Sequence, residues 1–179
     1  MSKLVTARRL AAYDRAVFER YLRWVVRLGW KEAAANREIG HRSFKNTLVH
    51  ILNVHEAWFV AVAQGRWEIF DAPGRREDDV ASWGDLRRYR DRVWAGADDL
   101  MDQLSEARLG RRVKAPWMPG RYSLEDAFYQ VSFEEAHHLG EIIGAAWQVD
   151  RSTPEMTWIR NLPAAMPAPR RPGPRRGRS

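Results

Sequence analysis

Apolar residues recur at three- and four-residue steps along four segments of the chain, and this spacing predicts four amphipathic α-helices. The first predicted helix runs from about Thr6 to Leu28, and the second runs from about Phe44 to Gln64. The third runs from about Trp83 to Glu106, and the fourth follows Ser123 and ends at about Val149. No run of residues alternates convincingly like a strand. The pattern therefore predicts an all-α fold, a four-helix bundle.

Serine residues mark the starts of three of these helices. Ser43, Ser82 and Ser123 each stand directly before an apolar-periodic segment, where a serine hydroxyl can accept a hydrogen bond from a free backbone amide. Asp85 and Asp126 each follow such a serine by three residues, which is the spacing of a capping box. These boundaries support the assignment of the helices.

The end of the chain differs from the rest in composition. We expect one bundle domain over residues 1–150, followed by a Pro- and Arg-rich tail over residues 151–179 that is mostly disordered. From about Pro163 onward the tail has too few large apolar residues to offset the entropy lost on ordering. A chain of 179 residues is otherwise of ordinary size for a single domain.

Charge and composition exclude several classes of function. The formal net charge is +7, but the segment Leu162–Ser179 holds five arginines and no acidic residue, which leaves about +2 on the rest. We therefore expect no nucleic-acid binding, except weak binding through the basic tail. The chain contains no cysteine, so thiolate metal sites and cysteine nucleophiles are excluded. No signal peptide or apolar membrane span is recognisable, so we expect a cytoplasmic protein without membrane contact.

The histidines suggest a metal site. Four of the five lie on the second and fourth predicted helices. Glu134 and His138 are four residues apart, so their side chains share one face of the fourth helix, a spacing that suits two ligands of one ion. Apolar residues on that face place the pair inward, where an unpaired carboxylate would be costly. His50 on the second helix is the candidate third ligand, because bundles build metal sites from facing helices.

Other interpretations of the same residues remain open. His55 projects more centrally into the apolar sector of the second helix than His50 does, and Glu135 also points towards apolar neighbours. A structural contact between His55 and Glu135 would involve no metal. Glu141 either orients His138 as a hydrogen-bond acceptor or is solvated.

Three further residues near these helices have mainly structural interpretations. His41 precedes the cap of the second helix, and we interpret it as structural. Tyr13 and Trp58 are candidates for lining a pocket, although core packing explains both.

Two of these segments resemble a known family. The sequence from Thr47 to Trp58, followed by Gly65, resembles the second helix of the DinB/YfiT-like superfamily of metal-dependent proteins. The sequence from His137 to Ile142 resembles the fourth-helix motif of that superfamily, in which His-His-Arg-Gly-Gln is common. The resemblance covers roughly Thr6 to Asp150.

The resemblance implies three metal ligands, one histidine on the second helix and a His-x-x-x-His pair on the fourth. The first falls on His50 and the last on His138, whereas the middle histidine is replaced by Glu134. A carboxylate at this position shifts the preference away from purely nitrogen-bound zinc or nickel and towards zinc, iron or manganese. Loss of the metal in this branch is the other interpretation.

The resemblance also implies a function. Characterised relatives include thiol-dependent S-transferases and isomerases, so the expected function is a metal-dependent enzyme that uses a low-molecular-weight thiol on a small electrophilic substrate. The alternative is a non-enzymatic, stress-associated interaction protein with a structural or vestigial metal site. A homodimer is expected in either case. The sequence identifies no catalytic residue beyond the candidate ligands.

Overall fold

The computed structural model describes residues 2–161, so the predicted disorder of residues 162–179 lies outside the described part of the chain. The α-helices are α1 (Lys3–Leu28), α2 (Trp30–Ala34), α3 (Phe44–His55), α4 (Trp83–Asp102), α5 (Glu106–Leu109), α6 (Leu124–Trp147) and α7 (Trp158–Asn161). A π-helix (Glu56–Val62) continues α3, and short 3-10 helices span Trp67–Asp71 and Glu77–Asp79. Two short strands, β1 (Arg112–Val113) and β2 (Tyr122–Ser123), form an antiparallel pair.

The four long helical segments pack as a bundle, and the predicted all-α, four-helix architecture is confirmed. Helix α6 packs against both α1 and α3, while α4 packs against α3 and its π-helical continuation.

The predicted serine caps are present. Ser43 Oγ accepts a hydrogen bond from the Asn46 amide at 3.1 Å. Ser123 and Asp126 form a complete capping box at the start of α6, with each side chain accepting from the other's backbone amide.

Two features of the loops differ from the sequence-based prediction. The third long helix ends at Asp102 rather than at Glu106, because Ser105 caps a separate short helix, α5, by accepting a hydrogen bond from the Arg108 amide at 3.2 Å. The loop after α5 contains the hairpin in which Arg112 pairs with Ser123. Two-residue strands are too short to show a detectable alternation, so periodicity cannot reveal them.

The second long helix changes its hydrogen-bonding pattern halfway along. It is α-helical as far as His55 and π-helical from Glu56 to Val62. A π-helix bonds each residue to the fifth one along, and such segments are frequent at functional sites. Because the wider turn changes which residues share a face, a period of 3.6 residues cannot describe the entire helix. His50 and His55, between which periodicity did not decide, both lie in the α-helical part.

The chain beyond α6 returns to the bundle. The hydroxyl of Tyr21 donates to the carbonyl of Pro154 at 2.9 Å, and the hydroxyl of Tyr13 donates to the carbonyl of Met156. The ring of Trp158 lies 4.8 Å from the ring of Tyr13. Residues 151–161 therefore pack against α1. The predicted division at residue 150 stays a prediction, because most of the tail is outside the described residues.

None of the helices within residues 2–161 has the length and apolarity needed to span a membrane.

A glycine allows the closest contact between α4 and the π-helix. A Cβ atom built on Gly96 would lie only 2.6 Å from Cγ2 of Val60, which belongs to the π-helix. Real carbon–carbon contacts are much longer, so a side chain at this position would push the two helices apart. The packing of α4 on the π-helix thus depends on the absence of a side chain at Gly96.

We predict that Gly96→Ala lowers the free energy of unfolding by about 1–3 kcal/mol, the usual cost of overpacking a tight contact. Gly144→Ala is the matched control, because a Cβ atom there meets nothing within 4 Å. The control should be neutral or stabilise the protein by up to about 1 kcal/mol, as alanine favours the helix over glycine. Urea unfolding measures both variants, and equal effects of the two substitutions would contradict the assigned role of Gly96.

Candidate metal centre

Three histidines from three parts of the chain meet at one side of the bundle. His41 lies in the loop between α2 and α3, His50 lies on α3, and His138 lies on α6. The ring of His50 is centred 3.8 Å from that of His41 and 4.4 Å from that of His138. One donor atom from each of the three residues lies within 4.8 Å of the other two, close enough for all three to bind one ion. We call His41, His50 and His138 the histidine cluster.

The loop that carries His41 has an unusual local conformation. Arg42, the next residue, has a φ of +65°, in the left-handed region that residues other than glycine rarely adopt. On the other side, Gly40 lies against Glu141, and a Cβ atom built on this glycine would be 2.5 Å from Oε1 of Glu141. Since backbone strain concentrates at functional sites, this turn supports a binding role for the loop.

Carboxylates hold two rings of the histidine cluster in place. Nδ1 of His41 is hydrogen-bonded to Oε1 of Glu77 at 3.0 Å, and Nδ1 of His138 is hydrogen-bonded to Oε2 of Glu141 at 2.9 Å. Metal-binding histidines in proteins usually have such a partner on the second ring nitrogen, because it fixes both the tautomer and the ring orientation. In both residues Nε2 is the nitrogen that remains for a metal ion.

The electrostatics of the cluster favour neutral imidazole at His50 and negative charge at Glu141. Burial, and secondarily the positive charges of His41 and His138, lower the pKa of His50 to about 4. Burial alone would raise the pKa of Glu141, but the hydrogen bond from His138 and the nearby histidine charges outweigh it, so this pKa is lowered. Neutral imidazole is the form that binds metals, so His50 is in a suitable state near neutral pH.

Glu134 lies beside the cluster. Its Oε2 is 3.4 Å from Nε2 of His138, and its Oε1 accepts a hydrogen bond from Gln130 at 2.7 Å. The side chain is 37% exposed, so it lies at the margin of the bundle rather than inside it. Among the described residues, Glu134 belongs to neither group of three donors that lie within 4.8 Å of one another. Its role as a ligand stays a prediction.

A second group of three donors consists of His137, His138 and Glu141. His137 is exposed, and its Nε2 lies 3.9 Å from Oε1 of Glu141. Since the side chain of His137 is 69% exposed, less of the protein surrounds this group than surrounds the histidine cluster. The histidine cluster is therefore the stronger candidate for a metal site.

His55 lies away from the histidine cluster, in a fully buried pair. Its Nε2 is 2.7 Å from Oε2 of Glu135, and the two side chains are only 1% and 3% exposed. This is the structural contact that the sequence left as an alternative. Burial lowers the pKa of His55 to about 4 and raises that of Glu135 well above its usual value, so we assign a neutral pair.

Asp14 adds a third buried polar group near this pair. Its Oδ2 accepts a hydrogen bond from the hydroxyl of Ser132 at 2.7 Å, whereas its Oδ1 has no partner. Nδ1 of His55 and Oε1 of Glu135 also lack hydrogen-bond partners. Burial, which disfavours the charged carboxylate, raises the pKa of Asp14 well above its usual value.

The two aromatic candidates lie elsewhere. Tyr13 packs against Met156 and Trp158, as described above, and Trp58 is buried on the π-helix with its ring 5.8 Å from that of Trp117. His41, interpreted from the sequence as structural, joins the cluster instead; it precedes a helix and has no periodic partner that could have indicated this. The neighbouring glycine in Gly40-His41 was the available signal, since an unhindered backbone beside a histidine permits close packing of another side chain.

Comparison with known proteins identifies one related family. A family model described as the DinB superfamily matches residues 13–142, which is most of the chain. A search of curated proteins finds no match.

The buried carboxyl of Asp14 leads to a pH-dependent prediction. Below about pH 4 the carboxyl is protonated in both the folded and unfolded states, so it carries no ionisation penalty. As the pH rises above that value, the unfolded state gains ionisation that the folded state lacks, and the wild type loses stability. The stability of Asp14→Asn relative to wild type should therefore increase as the pH rises from about 4.5 to 7.5.

Urea unfolding at several pH values measures this difference. Asp102→Asn, which removes an exposed carboxyl group on α4, is the control for the loss of one acidic residue. If the difference between Asp14→Asn and the wild type is the same at every pH, the assignment of a protonated Asp14 is wrong.

Proposed function

We propose that this chain, which belongs to the DinB superfamily, binds one divalent metal ion at the histidine cluster and acts as a metal-dependent enzyme on a small electrophilic substrate. His50 and His138 are two of the three ligands expected from the sequence, and Glu134 is the other. His41 or Glu134 supplies the third, and both lie beside His138.

The observation that carries the proposal is the pairing of ring nitrogens with carboxylates. A histidine pair that only filled space would not need Glu77 and Glu141 to fix Nδ1 on two separate rings. These contacts occupy Nδ1 of His41 and of His138, so Nε2 of each ring is the nitrogen that can bind an ion beside His50. A third donor from α3 then gives the three protein ligands of an open metal site.

The donor set fits a divalent transition metal. Imidazole nitrogens suit zinc, iron and nickel, and participation of Glu134 would shift the preference towards zinc, iron or manganese. When bound, such an ion supplies Lewis acidity and lowers the pKa of a coordinated water or thiol. The chain itself positions the ligands and, through Glu77 and Glu141, sets their tautomers.

A thiol-dependent transfer reaction is the activity we propose for this centre. His41 and His50 are both half-buried, so the cluster is accessible to a small molecule from one side. The chain has no cysteine, and a thiol reagent must therefore come from solution. We propose a low-molecular-weight thiol as the second substrate, in keeping with the family resemblance.

An observation on the outer face of α6 supports a second candidate, a homodimeric interaction protein. Phe133 is 72% exposed, and Tyr129, one turn earlier on the same face, is also exposed. Large exposed aromatic side chains are unusual on an isolated domain and are enriched in protein interfaces. In this alternative the metal centre has a structural role or is vestigial.

We predict that metal-depleted wild-type protein, when reloaded with zinc, manganese, iron or nickel, retains roughly one equivalent of at least one of these metals, as a three-ligand site requires. His50→Ala and His138→Ala should each lose this binding, because two protein ligands rarely hold a divalent ion tightly. His137→Ala is the control, since it removes a neighbouring imidazole outside the histidine cluster. Elemental analysis after gel filtration measures all four proteins, and a metal-free wild type would overturn the proposal.

Three further variants identify the remaining contributors to the site. Metal loss in His41→Ala but not in Glu134→Gln would assign the third ligand to His41, and the reverse result would assign it to Glu134. Gly40→Ala removes no donor but displaces Glu141 from His138, so metal affinity should fall roughly tenfold or more, as with other partners of metal-binding histidines. Metal-loaded protein is then assayed for thiol consumption with a haloaromatic electrophile, and inactivity with every thiol tested would favour the second candidate.

The dimer is tested separately. We predict that the wild type has twice the mass of one chain in light scattering and that Phe133→Asp reduces it to a single chain, because a buried charge without a partner opposes association. Ile159→Asp alters another highly exposed apolar residue and should leave the mass unchanged. A monomeric wild type would contradict the proposed dimer.

A further inference from the structure

A cleft lies at the C-terminal end of the second long helix, away from the histidine cluster. It has a volume of about 260 Å³ and lies between the end of the second long helix, at Gln64 and Gly65, and the hairpin of β1 and β2. His50 precedes Gln64 by fourteen positions along that helix. At a helical rise of about 1.5 Å per residue, His50 and Gln64 are roughly 20 Å apart. The cleft is therefore separate from the candidate metal centre.

The cleft concentrates positive charge. Arg111, Arg112, Lys114 and Arg121 line it, and no acidic residue does. Within residues 2–161, none of these four side chains forms an ion pair with a carboxylate. Four cations in one cleft are a strong local excess on a body whose net charge is only about +2. Such a site attracts anions.

Local structure does not account for these cations. The C-terminal end of a helix favours positive side chains near its free carbonyl groups. At the end of the second long helix Arg108 has this role, because it donates to the carbonyl of Ala63 at 3.4 Å. Arg112 contributes to the hairpin by donating to the carbonyl of Arg121. The side chains of Arg111, Lys114 and Arg121 make no such hydrogen bond within the described residues, so their donors remain available to a ligand.

An aromatic surface adjoins the cations. Trp67 lines the cleft and is 40% exposed. Its ring is stacked on Phe70, with ring centres 6.1 Å apart and planes 14° apart, and Phe70 in turn contacts Trp117 at 5.9 Å. All three side chains are exposed. Exposed tryptophan beside basic residues suits a ligand that has both a planar ring and negative charge, because bases stack on such rings.

We infer that this cleft binds a nucleotide, that is, a phosphate ester that carries a planar base. The phosphate oxygens accept hydrogen bonds from Arg111, Lys114 and Arg121, which arginine and lysine donate with charge assistance. The base packs against Trp67. Nucleotide binding in this cleft does not depend on the proposed metal centre, because no residue of the histidine cluster lines the cleft.

Calorimetric titration of the full chain with ADP, in the presence of a chelator, tests the inference. The chelator prevents any bound metal from capturing the phosphates. ADP should bind more tightly than adenosine, which lacks the charge, and more tightly than pyrophosphate, which lacks the ring. Arg111→Ala combined with Lys114→Ala should weaken ADP binding roughly tenfold or more, given the usual strength of hydrogen bonds from charged donors.

Matched variants separate this site from general charge effects. Arg20→Ala combined with Arg87→Ala removes the same number of exposed cations elsewhere and should leave ADP affinity unchanged, as should His50→Ala. Trp67→Ala should weaken ADP binding roughly fivefold or more without changing pyrophosphate binding. Tighter binding of a single-stranded oligonucleotide, lost in the same cleft variants, would also support the inference and identify nucleic acid as the source of the nucleotide. Absence of saturable ADP binding, or equal losses in the cleft and control pairs, would overturn it.

Discussion

A polar side chain buried between helices must find a partner there, because water is excluded and an unpaired charge is costly. Helix α6 packs between α1 and α3, and its buried polar residues are all arranged under this constraint. Glu135 is paired with His55 from α3, and Ser132 is paired with Asp14 from α1. His138 meets His50 and the loop that precedes α3. Each pairing fixes α6 against a neighbouring helix, so the position of the candidate site follows from the packing.

The two histidine centres on the second long helix differ in their access to solvent. His55 and Glu135 are hydrogen-bonded to each other, and the aromatic rings of Phe59 and Trp94 pack against His55. The histidine cluster is only partly buried, and its hydrogen bonds to Glu77 and Glu141 come from the outer side of the rings. A closed pair of buried side chains that are hydrogen-bonded to each other stabilises one arrangement of the helices. An open group of imidazole nitrogens can in addition bind an ion. We therefore assign a structural role to the pair of His55 and Glu135 and propose a binding role for the histidine cluster.

The two proposed binding regions lie in different parts of the bundle. The long helices supply most of the core in between, including the close contact of Gly96 with Val60. The candidate metal centre combines two helices with the loop at His41, and the cleft combines the end of a helix with the hairpin at Arg112. Loops on a rigid scaffold commonly carry binding residues, because they tolerate side chains that the core excludes. A metal centre and an anion site can therefore coexist without sharing a residue.

The amino-acid sequence determined the four helices, their serine caps and the inward position of His138, because these follow from local periodicity and hydrogen bonding within a few residues. It also offered His50 as a candidate ligand on a facing helix, although periodicity alone did not decide between His50 and His55. Tertiary structure alone decided that His41 joins the site, since a loop residue has no periodic partner in the sequence. It also decided that Glu134 lies at the margin of the site, because residues on the same face of a helix can differ in how deeply they are buried. The π-helix, which packs against α4, likewise escaped prediction from a period of 3.6 residues. Interactions between residues close in sequence thus specified the helices, and only packing between distant segments specified which side chains come together.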